Sequence, residues 1–76
     1  MTPRYLIQQG IFEYQRLLQK SKAKNITAAT RATILQKAEE IKKGIDYIIQ
    51  TKELDGRTIK IIVPRWEEIK EKALDK

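Results

Sequence analysis

A stripe of apolar residues keeps helical spacing from about residue 27 to residue 54, and it constrains this chain more than any other feature. Its members follow one another at steps of four, three, four and three residues: Ile34, Ala38, Ile41, Ile45 and Ile48. Such steps place every member on one side of a helix, as in amphipathic and coiled-coil helices. We therefore predict a long helix from Thr27 to about Leu54.

A shorter stripe with the same rhythm precedes the long helix. Its members are Ile7, Ile11, Tyr14 and Leu18. Thr2 and Pro3 are typical of a helix start, because Thr caps free N–H groups and Pro lacks an N–H that would need a partner. The connection at about residues 21–26 is short, so we expect the two helices to form an antiparallel hairpin. Gly10 and Gly44 lie near the stripes, where a missing side chain would let the backbones approach.

The last third of the chain predicts one extended segment and one short helix. Asp55-Gly56 is typical of a turn, and the residues at about 57–63 alternate in polarity as a strand does. Pro64 is expected to open a helix that carries Trp66 into the core. The predicted fold is all-α: a single domain, residues 1–76, with a helical hairpin and a short C-terminal helix in a three-helix bundle.

An alternative pairs the extended segment within the chain. Residues 47–54 and 57–63 flank a two-residue Asp-Gly loop, which favours a β-hairpin at 47–63 and an α+β fold. The order helix, hairpin, helix over residues 34–75 looks like that of the small head-to-tail joining proteins of tailed phages. We favour the helix because Ile45, Ile48 and Ile49 continue the apolar stripe in register.

The composition narrows the possible chemistry. The chain has no Cys and no His, which excludes Ser/His/Asp and Cys/His catalysis and leaves no side chain with an unperturbed pKa near 7. We expect a protein that is not an enzyme, has no cofactor or metal and takes no small-molecule substrate. The longest apolar run is only Ile61 to Val63, so we expect no membrane span and a cytoplasmic location.

The positive charge is unevenly distributed. The net charge is +6, and residues 39–76 contain equal numbers of basic and acidic groups, so all of the excess lies in residues 1–38. Such asymmetry is typical of a surface that meets phosphate or an acidic partner. Lysines that serve only solubility would give the same count.

Most of this charge flanks the predicted start of the long helix. Lysines, threonine hydroxyls and the free N–H groups of a helix N-terminus would together attract phosphate. We predict a small basic helical module, such as a regulator, that binds nucleic acid mainly through phosphate. Thr27 and Thr30 could instead use their hydroxyls only to cap the helix. The predicted nucleic-acid contacts are Arg16, Lys20, Lys22, Lys24, Thr27, Thr30, Arg31 and Lys37.

The same stretch partly resembles the helix-turn-helix family of DNA-binding proteins. Ser21 matches the small residue of the family pattern, Asn25 the turn residue, and 27–30 the Thr-led start of a recognition helix. The chain departs from the pattern at three positions where the family has apolar side chains: Lys20, Lys24 and Arg31. The resemblance implies that a threonine-rich face would enter a DNA groove: Thr27, Ala28, Thr30, Arg31 and Thr33.

A second ridge on the first helix cannot be buried by the hairpin alone. Tyr5 and Phe12 lie on it, away from the inner stripe, beside Gln9 and Arg16. The C-terminal helix, a second copy of the chain or nucleic-acid bases could cover it. The alternative function is therefore a protein-interaction or assembly module acting as a homodimer. Its predicted interface residues are Tyr5, Phe12, Ile59, Ile61 and Val63.

Overall fold

A computed structural model describes residues 2–74, and all of the regular structure in that range is helical. The helices are α1 (Pro3–Ser21), α2 (Ala28–Thr51) and α3 (Val63–Leu74), and a π-helical turn (Thr58–Ile62) leads directly into α3. The all-α prediction is confirmed. Residues 47–51 are helical and no strand occurs between residues 2 and 74, so the β-hairpin alternative is wrong, as is the likeness to phage joining proteins that rested on it.

The first two helices form where the sequence provides caps. Thr2 Oγ1 accepts a hydrogen bond from the Tyr5 N–H (3.2 Å), and Pro3 occupies the first turn of α1, as predicted. α1 and α2 run antiparallel and pack through their apolar stripes. The approach is closest at Gly10, where an added Cβ would lie 2.7 Å from Ile45 Cγ1. Gly44 has nothing within 4 Å of such a Cβ, so the predicted close approach is wrong there.

The predicted extended segment at about 57–63 is wrong, because this part of the chain is helical. Asp55 caps the helical segment that begins at residue 56. Its Oδ1 accepts a hydrogen bond from the Thr58 N–H (2.7 Å), and its carbonyl oxygen accepts one from the Ile59 N–H (3.1 Å). Asp-Gly is therefore a helix start in this chain, with no glycine at positive φ, and not a hairpin turn.

The π-helical turn and α3 together form what we call the last helix, and Pro64 lies inside it and does not open it. A proline ring inside an α-helix collides with the carbonyl four residues earlier and donates no hydrogen bond. The preceding π turn, in which the Val63 N–H donates to the Thr58 oxygen, widens the helix before the proline. We attribute the π turn to this clash.

Trp66 is the central side chain of the core. It is completely buried and meets the Tyr14 ring edge to face, with the ring centroids 5.1 Å apart. Its Nε1 donates to Asp46 Oδ1 (2.9 Å), and the same oxygen accepts from Lys70 Nζ (2.8 Å). Trp66 thus ties the last helix to α1 through an aromatic contact and to α2 through a hydrogen bond.

The Asp46 carboxylate predicts a pH-dependent stability. Burial raises the pKa of Asp46, but hydrogen bonds from Lys70 and Trp66 outweigh it, so the pKa lies below its ordinary value. Such a group stabilises the fold above its unfolded pKa of about 4, and this contribution is lost as the pH falls through the lower folded pKa. We expect the difference in melting temperature between wild type and Asp46→Asn to be largest above pH ~5 and to shrink below pH ~4. A difference that is unchanged from neutral to acid pH would contradict this role.

Candidate nucleic-acid interface

Lysines gather where α1 ends and α2 begins. Lys20, Lys22 and Lys24 are exposed around this connection, and Lys37 is exposed farther along α2. In the part of the chain that the structure describes, none of the four has an acidic group within 4 Å. Residues 14–38 contain six basic residues and no acidic one, so this end of the hairpin carries uncompensated positive charge.

The two threonines predicted to contact phosphate have structural partners. Thr27 is the N-cap of α2: its Oγ1 accepts from the Thr30 N–H (3.1 Å) and also bonds the Thr30 hydroxyl (2.9 Å). Thr33 Oγ1 donates to the Ala29 carbonyl (3.1 Å). The Thr27 hydroxyl thus caps the helix, which is the alternative that the sequence left open, whereas the Thr30 hydroxyl accepts from the Thr27 hydroxyl.

Arg31 also has a structural partner. Its Nε donates to the Ser21 carbonyl (2.8 Å) and its Nη2 to the Ala23 carbonyl (3.1 Å), at the C-terminal end of α1. The side chain satisfies carbonyls that the end of a helix leaves free and places a positive charge at the negative end of its dipole. Arg31 therefore joins the two helices across the connection, and these two hydrogen bonds use two of its five N–H donors.

Arg16 lies on the outer side of α1. Its guanidinium pairs with Glu13, one helical turn earlier, and both side chains are well exposed. Exposed pairs of this kind contribute only ~0–1 kcal/mol, so a phosphate can replace the carboxylate at little cost. Together with the four lysines, Arg16 forms what we call the basic end of the molecule.

The structure does not have the geometry that the helix-turn-helix resemblance implies. α2 is 24 residues long and packs antiparallel along α1, from Arg31 at the connection to Ile45 against Gly10. A helix-turn-helix unit instead sets a short recognition helix at a steep angle to its neighbour. Four of the residues predicted to face a groove also make local hydrogen bonds: Thr27, Thr30, Arg31 and Thr33.

The predicted partner interface is dispersed over the last helix and α1. Tyr5, Phe12, Ile59 and Ile61 are exposed and Val63 is half-buried. The last three are helical and offer no strand edge for pairing. The C-terminal helix does not cover Tyr5 and Phe12, because it docks on Tyr14, on the inner side of α1.

A groove between α1 and the last helix runs beside Phe12. The residues that line it are Gln8, Ile11, Phe12, Gln15, Ile62 and Arg65. No sequence pattern indicates this groove, since it forms only when the last helix lies along α1. Arg65 is not among the predicted site residues, because the residues next to Pro64 indicate only the start of a helix.

We also searched the described residues for a metal site and for a membrane-spanning helix, and compared the chain with known proteins. Between residues 2 and 74, no three acidic side chains come together in a way that could hold a metal ion. No helix in that range combines the length and the apolar character needed to cross a membrane. No protein-family model, no curated protein and no solved structure matches this chain.

Proposed function

We propose that this protein is a cytoplasmic, non-enzymatic module that binds nucleic acid, mainly through phosphate contacts at its basic end. The working unit in this proposal is a single domain whose three helices form one bundle. The contacts of Trp66 with both α1 and α2 support that arrangement. In such a unit the hairpin would act as a rigid support for the lysines around the connection.

The observation that carries the proposal is the uncompensated charge at one end of the molecule. Lys20, Lys22 and Lys24 are exposed on and next to a short connection, with no acidic residue between positions 14 and 38. Ammonium groups in this position can reach several phosphates along a strand at once. Each phosphate neutralised releases a counterion, which is the main source of sequence-independent affinity.

Little in this end of the molecule favours reading a base sequence. Lysine is a point charge on a flexible stem, whereas Arg31, whose planar fork could recognise a guanine edge, is held by backbone carbonyls. Contacts of this kind position a protein on a strand without specifying the sequence. We therefore expect binding that depends strongly on salt and weakly on sequence.

Replacing Lys20, Lys22 and Lys24 with glutamine tests the proposal. We expect the triple variant to bind a short oligonucleotide more weakly, and its slope of log affinity against log salt to become shallower by about 2–3 units. Fluorescence anisotropy between about 50 and 200 mM salt measures both quantities. Glutamine is preferred to glutamate because a negative charge near the end of α1 would oppose the helix dipole.

A second triple variant controls for net charge. The control uses three exposed lysines that lie away from the α1–α2 connection: Lys43, Lys52 and Lys60. In the described part of the chain, none of them has an acidic group within 4 Å. Their replacement with glutamine removes the same three charges. Equal loss of affinity in both variants would show only a general charge effect and would contradict a site at the basic end.

A homodimeric assembly module remains the second candidate. The specific observation is the exposure of large apolar side chains, with Phe12 at 64% and Ile61 at 60%. Association through apolar contacts would persist as salt increases, whereas phosphate binding would weaken steeply. Sedimentation equilibrium at two salt concentrations, with and without an oligonucleotide, distinguishes the two functions.

A further inference from the structure

Phe12 is the most exposed aromatic residue on α1. Its side chain is 64% exposed, and Tyr5, about two helical turns earlier on the same side, is 46% exposed. Ile7 and Tyr14 are buried on the opposite side of the helix. Both rings are therefore accessible from solvent on this outer side of α1.

The groove beside Phe12 joins an aromatic ring to a guanidinium group. α1 contributes Phe12 and the last helix contributes Arg65, while the buried side chains of Ile11 and Ile62 form the bottom of the groove. Gln8 and Gln15 add amide groups along its length. Phenyl rings and guanidinium planes are the two kinds of protein surface on which unstacked nucleic-acid bases pack.

Positive charge follows Phe12 along the outer side of the helix. Arg16 is one turn beyond Phe12, and Lys20 is one turn beyond Arg16, so both lie on the same side of α1. Phe12 and Lys20 are separated by about 12 Å along the helix axis. A stacked strand covers that distance in roughly three or four nucleotides at ~3.4 Å each.

We propose that the groove holds a base of a single-stranded nucleic acid, stacked on Phe12 and Arg65, while the strand's phosphates follow the basic end from Arg16 to Lys20. This inference rests on the proposed function and adds to it the form of the nucleic acid. Duplex bases are already stacked on each other and cannot enter such a groove. A strand with free bases uses both the groove and the lysines.

Charge favours a nucleic-acid strand over a second copy of this chain as the occupant. Arg16 and Arg65 border the exposed ring, and the nearest acidic residue on α1 is Glu13, which is paired with Arg16. Two copies brought together through this surface would place like charges opposite each other. A phosphate backbone meets the same surface with opposite charge.

The first experiment compares a single strand with a duplex. The probes are an oligo(dT) strand of roughly 10 nucleotides and a duplex of equal length, within the range of single-strand site sizes. A protein that held DNA through lysines alone would prefer the duplex, which has twice the charge per unit length. We expect the wild-type protein to prefer the single strand, and a clear preference for the duplex would overturn the inference.

The second experiment removes the aromatic surface. We expect Phe12→Leu to bind oligo(dT) roughly tenfold more weakly than wild type, because one stacked base is lost. Its duplex affinity and its salt slope should not change. Tyr47→Leu is the matched control, since Tyr47 is exposed to the same 64% but lies on α2, and it should bind both probes as wild type does.

The two experiments separate this inference from the proposed function. Unchanged oligo(dT) affinity in Phe12→Leu, with weaker binding in the Lys20, Lys22 and Lys24 triple variant, would overturn the groove and leave the basic end intact. Unchanged affinity in both variants would overturn both proposals. A wild-type dimer that dissociates in Phe12→Leu would assign the surface to a second copy and also overturn the groove.

Discussion

Replacing Trp66 with alanine is expected to lower the free energy of unfolding by about 3–5 kcal/mol, the usual cost of removing a large buried aromatic side chain. Trp66 is completely buried between Tyr14 and Asp46, so its loss leaves a cavity and removes a hydrogen bond to the carboxylate. A single core in a chain of under ~80 residues rarely supplies more than about 3–5 kcal/mol in total. The variant should therefore be partly or largely unfolded at room temperature.

Urea denaturation followed by circular dichroism measures this effect without depending on tryptophan fluorescence. Trp66→Phe is the graded control, because it keeps an aromatic ring near Tyr14 but loses the indole N–H that donates to Asp46. Its expected cost is smaller, about 1–3 kcal/mol. If Trp66→Ala were as stable as wild type, the last helix would not be docked on the hairpin through this residue.

Alanine at Gly10 and alanine at Gly44 are expected to have opposite effects. Both residues lie inside helices, where alanine is preferred to glycine by ~1 kcal/mol. A Cβ at Gly10 would lie 2.7 Å from Ile45 Cγ1 and 2.9 Å from Ile45 Cδ1, and Ile45 is almost completely buried, so it has no free space to enter. Overpacking of this kind costs roughly 1–3 kcal/mol, which outweighs the helix preference.

Gly44 supplies the matched control within the same hairpin. Nothing lies within 4 Å of a Cβ added there, so Gly44→Ala keeps the helix preference and should stabilise the protein by ~1 kcal/mol. Thermal denaturation of the two variants beside wild type measures both changes. A stabilising Gly10→Ala would show that α1 and α2 can move apart at no cost, which would contradict the close packing at Ile45.

The hairpin was predictable because short-range patterns specify it. The spacing of Ile34, Ala38, Ile41, Ile45 and Ile48 predicted a helix over most of α2, and the structure buries or half-buries all five. Thr2 was predicted as a cap from residue type and position, capping by Thr27 was the alternative to phosphate contact, and both side chains accept hydrogen bonds as caps do. Periodicity and capping act within a few residues of each other, so a sequence displays them directly.

The segment at 57–63 was mispredicted because its local signals are ambiguous. Alternating isoleucine and an Asp-Gly pair favour a strand and a turn when they are considered alone. In the folded chain Ile62 is buried and Thr58 is almost completely buried, while Ile59 and Ile61 remain exposed. A helix start at Asp55 and a π turn before Pro64 place Ile62 and Trp66 on the same inner side, which strand periodicity could not show.

The hairpin stripes, the capping threonines and the position of the excess charge could be predicted from the sequence, because these depend on residue type and near neighbours. How the charged and aromatic side chains are used depends instead on the packing of the helices. Arg31 is held by carbonyls of α1, and Phe12 is left exposed beside Arg65, a residue more than fifty positions away in the chain. Contacts between distant residues depend on how whole helices pack, and no local pattern encodes that packing.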